Sequence, residues 1–498
     1  MNVNPITRLD YPDLDVIRVE DTYYMVSTTM HFMPGCEILQ SFDLVHWEHA
    51  TYVYETLDHT DAQQLKSGQN IYGQGMWAAS LRYHEGRFYI CFVANDTRKT
   101  YLYTSEKIDG PWKKQLIEGF YHDGSLLFDE DGRSYIVYGN DEIWITELNE
   151  DLTAPKKDGL HRLLVSDHKN PELGYEGSHI QKINGYYYIF LVHSLRDRWM
   201  RTEACFYSDS LEGEFTGGDV LCDDRGYCGQ GVAQGGIVDT PDGKWYAMLF
   251  QDSGAVGRIP ILLPVTWKDH FPFFGQNGHV PEEIEVHSTR PGYIYQPLVG
   301  SDDFCNGLLP RWQFNHDPDP RYYHLDALQG TYTITTREVC TELTQAVNTL
   351  TQRMSYPSCA AEVTVDASAL KEGDVAGLCA LQGCYAAVGI TKHHGKYEVL
   401  MLDKKEDGIL DMTEGTVVES HQMDFRLEAD FCNMKDEARC YYRVNKGDWL
   451  PIGTVHKLYF KLDHFTGCRF GLFCYAAEET GGSACFRDFK YYDVDEIS

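Results

Sequence analysis

Three short acidic segments stand out in the first 180 residues: Tyr11-Pro12-Asp13, His122-Asp123-Gly124-Ser125 and Tyr175-Glu176-Gly177-Ser178-His179. Each runs straight into an apolar, β-rich stretch, which sets one carboxyl group at the start of a strand. If the sheets that carry them pack around a common axis, three carboxyl groups converge on one pocket. A pair of carboxyl groups in a pocket can cleave a glycosidic bond, one acting as acid and the other on water or on the sugar itself.

The elements that must position these groups come as a repeat. Copies of a strand, a tight turn and an aromatic strand begin near Ile17, Leu81, Leu127, Ile180 and Ile237. Their turns carry Asp-Gly, Glu-Gly or Asn-Gly, where glycine supplies the positive φ of a short hairpin. Five such units at roughly 50-residue spacing fit radial blades better than a sandwich or a parallel barrel. The expected fold is therefore all-β, with a five-bladed β-propeller over residues 1–295. Near Arg290-Pro291-Gly292 the pattern breaks, and short alternating strands such as Ala361–Asp366, Tyr397–Leu402 and Arg469–Tyr475 follow. These predict a second all-β domain, a β-sandwich, over residues 296–498.

Composition narrows the function classes. At 498 residues the chain exceeds one ordinary core, and its 34 tyrosines suit strands. A net charge of −32 argues against nucleic acid, whose phosphates it would repel. No apolar run reaches the roughly 18 residues of a membrane span. The start Met1-Asn2-Val3-Asn4-Pro5 has no apolar signal core, so a cytoplasmic location and no membrane partner are expected. Fifteen cysteines, an odd number without a Cys-x-x-Cys pair, read as free thiols rather than bridges or zinc ligands.

With these motifs in place, the chain resembles glycoside hydrolase family 43, in particular its β-xylosidase and α-L-arabinofuranosidase members with a C-terminal β-sandwich. The resemblance rests on Asn4-Pro5, Tyr11-Pro12-Asp13, Met76-Trp77-Ala78-Ala79, Asp123-Gly124-Ser125, Glu176-Gly177-Ser178-His179 and Gly257-Arg258-Ile259-Pro260 in the first part. In the second part it rests on 309–316, 348–353 and 373–378. Each motif alone is weak; their order and number are specific.

The resemblance implies an inverting, exo-acting hydrolase that releases terminal β-D-xylose or α-L-arabinofuranose from short plant-derived oligosaccharides. In it Asp13 is the general base and Glu176 the general acid, and Asp123 orients the acid and raises its pKa. Asp10 and Asp15 compete with Asp13, Asp15 facing the same way as Asp13 on an extended chain, and Glu172 is the nearest competitor of Glu176. Arg258 corresponds to an arginine near the sugar, against a plain salt bridge between blades. Trp77, Phe32 and Met33 are expected to wall the sugar ring, and His179 to be a hydrogen-bonding neighbour of the acid. Some relatives carry a histidine, which helps hold a central calcium or water cluster, where this chain reads Ala233-Gln234. Gln234 offers an amide oxygen there, but the departure argues against a tightly held calcium, and no cofactor is required. The sandwich would buttress the propeller and could mediate homo-oligomer assembly. The rival readings are an endo-arabinanase-like enzyme and a catalytically silent sugar-binding propeller. The retaining, sucrose-cleaving five-bladed propellers carry an Asn-Asp-Pro-Asn type motif that this chain lacks.

Overall fold

The computed structural model describes residues 2–413 and 415–493. Its first part is five four-stranded antiparallel sheets, formed in chain order by residues 15–54, 76–117, 125–166, 176–221 and 232–274. Glu85-Gly86 and Asn184-Gly185 both take positive φ at each residue, as two-residue hairpin turns that match strand twist require. Each sheet is one blade, and its first strand lies innermost. The propeller is closed by Asn2–Val3, which pairs with Glu283–Ile284. The Asn4 amide reinforces the closure, donating to Leu262 O and Pro281 O.

The second part is a sandwich of a nine-stranded and a seven-stranded sheet. Its core is apolar, with Leu378, Val388, Met401, Phe425, Leu427, Leu472 and Phe486 all buried between the sheets. The two parts are not merely tethered. Phe32–Met33, from the first blade, pairs with Gln313–Asn315 and becomes the edge strand of the nine-stranded sheet. Ala255, Val256 and Ile259 of the fifth blade belong to the sandwich core. Buried polar contacts add to this, including Gly467 N–H to Asp10 Oδ2 at 2.8 Å and the Arg353–Glu37 ion pair at 2.8 Å.

Helix among the described residues is limited to four single 3-10 turns. No helix there is long and apolar enough to cross a membrane. All fifteen cysteines are unpaired.

Candidate active site

The three acidic segments meet at one end of the propeller because each precedes, or opens, an innermost strand. Asp13 lies just before Asp15–Val19, Asp123 before Ser125–Phe128, and Glu176 begins Glu176–Ile183. Asp13 and Asp123 both sit at left-handed φ, 50° and 48°. Asp and Asn tolerate that region better than other side-chain-bearing residues, yet it still costs energy. Such outliers turn the chain sharply at the mouth of the propeller and aim each carboxyl inward. Bulges at Trp77/Ser80, Glu176/His179 and Ala233/Gly236 re-aim side chains at the same level in three other blades.

Each carboxyl has a distinct set of partners. Arg258, almost fully buried, donates Nη1 to Asp13 Oδ1 at 2.9 Å. Asp123 Oδ2 accepts the Gly177 N–H at 3.0 Å, tying it to the residue after Glu176. Glu176 Oε2 accepts from Asn140 Nδ2 at 2.6 Å and lies 3.5 Å from His122 Nε2. Burial pushes the Asp123 carboxyl up to about 6; His122 opposes the rise, while the charges of Glu176 and Asp13 add to it. Close by, Arg201 donates to Asp252 at 2.9 Å.

The competitors for these positions are committed elsewhere. Asp10 accepts two backbone N–H groups, from Arg258 at 2.7 Å and Gly467 at 2.8 Å, and so works as a clamp. Asp15 is fully buried; burial favours its neutral form, but Arg82 at 2.6 Å and His179 at 3.1 Å prevail and hold it at about 2. Glu172 is exposed on the surface.

A cleft of about 580 Å³ opens over Glu176, His122 and Asn140. Its walls include Trp77 from the second blade and Trp199 and Arg201 from the fourth. The sandwich supplies the rest: Phe460, Lys461, Leu462 and Phe465 line the same cleft. The Phe465 ring lies 4.3 Å from the Arg258 guanidinium and 5.6 Å from the Trp77 ring, and its carbonyl accepts from Arg258 Nη2 at 3.3 Å. The site is thus built from both domains.

Four expected wall or contact residues are placed differently. Phe32 and Met33 do not wall the cleft: their backbone finds an open sheet edge of the sandwich, and both side chains are buried, Phe32 among sandwich residues and Met33 in the core of the first two blades. The Arg469 guanidinium covers the Phe32 ring at 3.5 Å. His179 is buried beneath the cleft, where it bonds Asp15 rather than facing a ligand. Gln234 is also buried; its N–H donates to Glu203 at 2.7 Å and its side chain packs against Gly177.

Sequence reasoning missed Asn140, Trp199, Arg201 and the sandwich phenylalanines, and gave His122 no role. His122 was adjacent to a chosen residue, so a signal existed there; for the others none did. A second hollow of about 420 Å³ opens at the far end of the propeller, where the innermost strands finish. Its cations Arg18, Arg82 and Lys182 are already paired with Asp239, Asp15 and Asp129, and none of the three acidic segments reaches it.

Comparison with known proteins agrees with this architecture. Residues 3–272 match the model of Glycosyl hydrolases family 43, and residues 301–492 that of the Beta xylosidase C-terminal Concanavalin A-like domain. A Beta-xylosidase of Formosa agariphila is 26% identical over 99% of this chain and 89% of its own length. A non-reducing end alpha-L-arabinofuranosidase of Bacteroides ovatus is 26% identical over 66% of this chain and 63% of its own. Among solved structures, a bifunctional GH43-CE protein of Bacteroides eggerthii superposes with a TM-score of 0.93 at 42% identity. That match covers all of this chain and 64% of the longer one. A family 43 hydrolase engineered to display both endo-xylanase and exo-arabinofuranosidase activity has a TM-score of 0.86 at 27% identity, over 99% of each chain. With over half its length matched by the catalytic family model and most of the rest by the C-terminal domain model, this chain belongs to glycosyl hydrolases family 43.

Proposed function

We propose that this protein is an exo-acting, inverting glycosidase that removes terminal β-D-xylose or α-L-arabinofuranose from short plant-derived oligosaccharides. The observation that carries this reading is the convergence of Asp13, Asp123 and Glu176, each with different partners, on one end of the propeller. Asp13, paired with Arg258, takes a proton from water as that water attacks the anomeric carbon. Glu176 gives its proton to the departing glycosidic oxygen from the opposite face, in a single displacement. Asp123 holds the Gly177 amide, fixing the backbone that carries the acid, and its negative charge favours retention of a proton nearby. Trp77 and Phe465 offer flat apolar surfaces to the sugar ring, and Arg258 binds its hydroxyls. Two carboxyl groups suffice for this chemistry, so it calls for no metal. The sandwich residues over Arg258 close one side of the cleft, which supports attack at chain ends over an open groove. Relatives named for xylosidase, arabinofuranosidase or both activities support a pentose in the pocket.

The test is to measure initial rates on p-nitrophenyl β-D-xylopyranoside, p-nitrophenyl α-L-arabinofuranoside and xylobiose for wild type and Glu176→Ala. Proton NMR should show the first-formed free sugar with inverted configuration. The variant should lose about 10²–10⁴-fold on xylobiose and less on the aryl glycosides, whose leaving groups need little protonation. Wild-type inactivity on all three, or retained configuration, would overturn the reading.

A further inference from the structure

His122 was given no part in the two-carboxyl scheme, yet its imidazole lies close to both members of the acid pair. Its Nε2 lies 3.5 Å from Glu176 Oε2 and 3.7 Å from Asp123 Oδ2, and the polar atoms of all three groups fall within 4.8 Å of one another. It lines the cleft beside Trp77, at 6.2 Å between ring centroids, instead of packing into a blade core. Its side chain makes one described hydrogen bond, the long one to Glu176, while its backbone carbonyl accepts from the Gly139 N–H at 3.0 Å.

We propose that His122 is a positioning residue of the hydrolytic reaction, a cationic imidazole that bridges Asp123 and Glu176 and favours the carboxylate left on Glu176 after its proton is delivered. The inference rests on the assignment of Glu176 as the acid. Glu176 Oε2 is held by Asn140 and His122, which directs Oε1 toward the glycosidic oxygen. When the proton leaves for that oxygen, negative charge appears beside the imidazolium, and His122 keeps its own proton throughout. In the resting site the same cation offsets the buried Asp123 carboxylate, which would otherwise stand beside two further carboxyl groups without a counter-charge. The price is pH range: an imidazolium beside the acid makes proton loss easier and draws the alkaline limb of activity downward.

The surrounding charges are consistent with a cationic His122. Asp123 raises it to about 9; burial opposes the rise, and Glu176 and Asp13 add to it. Arg201 faces Glu176 but is itself paired with Asp252, and Lys461 at the cleft mouth is paired with Glu406.

Two readouts separate this role from a structural one. The first is the pH dependence of kcat/KM on xylobiose for wild type, His122→Gln and His122→Phe. Both variants remove the charge, while Gln keeps a donor near the position of Nε2. The alkaline limb should move up by about one pH unit or more in both, with kcat/KM at neutral pH falling several-fold on xylobiose and less on an aryl xyloside. An unmoved alkaline limb in both variants would overturn the proposal. The second needs no turnover: titration of ¹³C-labelled histidine by NMR, with His122 assigned by its loss in His122→Gln. His122 should stay protonated through pH 8, and this should fail in Asp123→Asn. A wild-type titration near 6.5 would overturn the proposal even if the substrate were wrongly assigned. Inactivity on xylobiose with the expected NMR titration would instead count against the pentosidase reading alone.

Discussion

Asp10 and Asp13 are three residues apart and both buried, yet the structure gives them different work, and substitution should separate them sharply. Asp10 Oδ1 and Oδ2 each accept one buried backbone N–H, from Arg258 at 2.7 Å and from Gly467 at 2.8 Å. Asp10→Ala would orphan both donors. Each unsatisfied buried donor costs about 1–3 kcal/mol, so the pair should cost about 2–6 kcal/mol. Asp10→Asn keeps one acceptor and turns the other into a donor facing a donor, and should cost roughly half as much. Because Asp10 pins both the strand that carries Arg258 and the turn after Phe465, activity should also fall, by up to about 10²-fold as the site shifts. The pH–rate profile should nevertheless keep both limbs in both Asp10 variants. Asp13→Asn should remain folded, lose about 10²–10⁴-fold in kcat/KM, and lose the acid limb altogether. Stability would be followed by urea unfolding through tryptophan fluorescence, and activity by xylobiose hydrolysis from pH 4 to 9. A well-folded Asp10→Asn enzyme that had lost the acid limb, beside an active Asp13→Asn, would refute the assignment of the base.

Three further outcomes are expected. Asp15 is held at about 2, below its ordinary 3.8, so its ionised form stabilises the native state above about pH 4 and this contribution, about 2 kcal/mol, is lost as pH falls toward 2; comparing urea midpoints of wild type and Asp15→Asn from pH 5 to 2.5 should show the gap closing. Gly177 has a φ of 64°, and a Cβ there would meet Gln234 Cγ at 2.8 Å; Gly177→Ala should cost at least about 1–2 kcal/mol and displace Glu176, so normal xylobiose turnover in that variant would count against the site as described. Phe465→Ala removes the ring over Arg258 and should cost about 1–2 kcal/mol, read as a 5- to 30-fold fall in kcat/KM with little change in the far-ultraviolet spectrum; unchanged kinetics would show that the sandwich does not serve the cleft.

The sequence by itself determined the propeller and its acidic rim. Hairpin turns such as Glu85-Gly86 and Asn184-Gly185, repeated between aromatic strands, encode blades through local backbone chemistry, and local chemistry is written in neighbouring residues. The acids were legible for the same reason: Asp13, Asp123 and Glu176 each stand at the head of an innermost strand, so the blade repeat carries them to one end. Tertiary structure decided what each group touches. Asp10, Asp13 and Asp15 look alike in sequence, and only the partners Gly467, Arg258 and Arg82, each more than 60 residues away, distinguish clamp, candidate base and axial salt bridge. Phe32 and Met33 had the right chemistry for a sugar wall, but an open sheet edge some 280 residues further along the chain captured their backbone. Phe465 lay in a domain whose orientation no local pattern encodes, and it reaches the cleft only because buried polar contacts and a shared sheet fix the sandwich against the propeller. Strand periodicity and turn chemistry act over a few residues, whereas which loop closes over which carboxylate depends on packing between segments hundreds of residues apart.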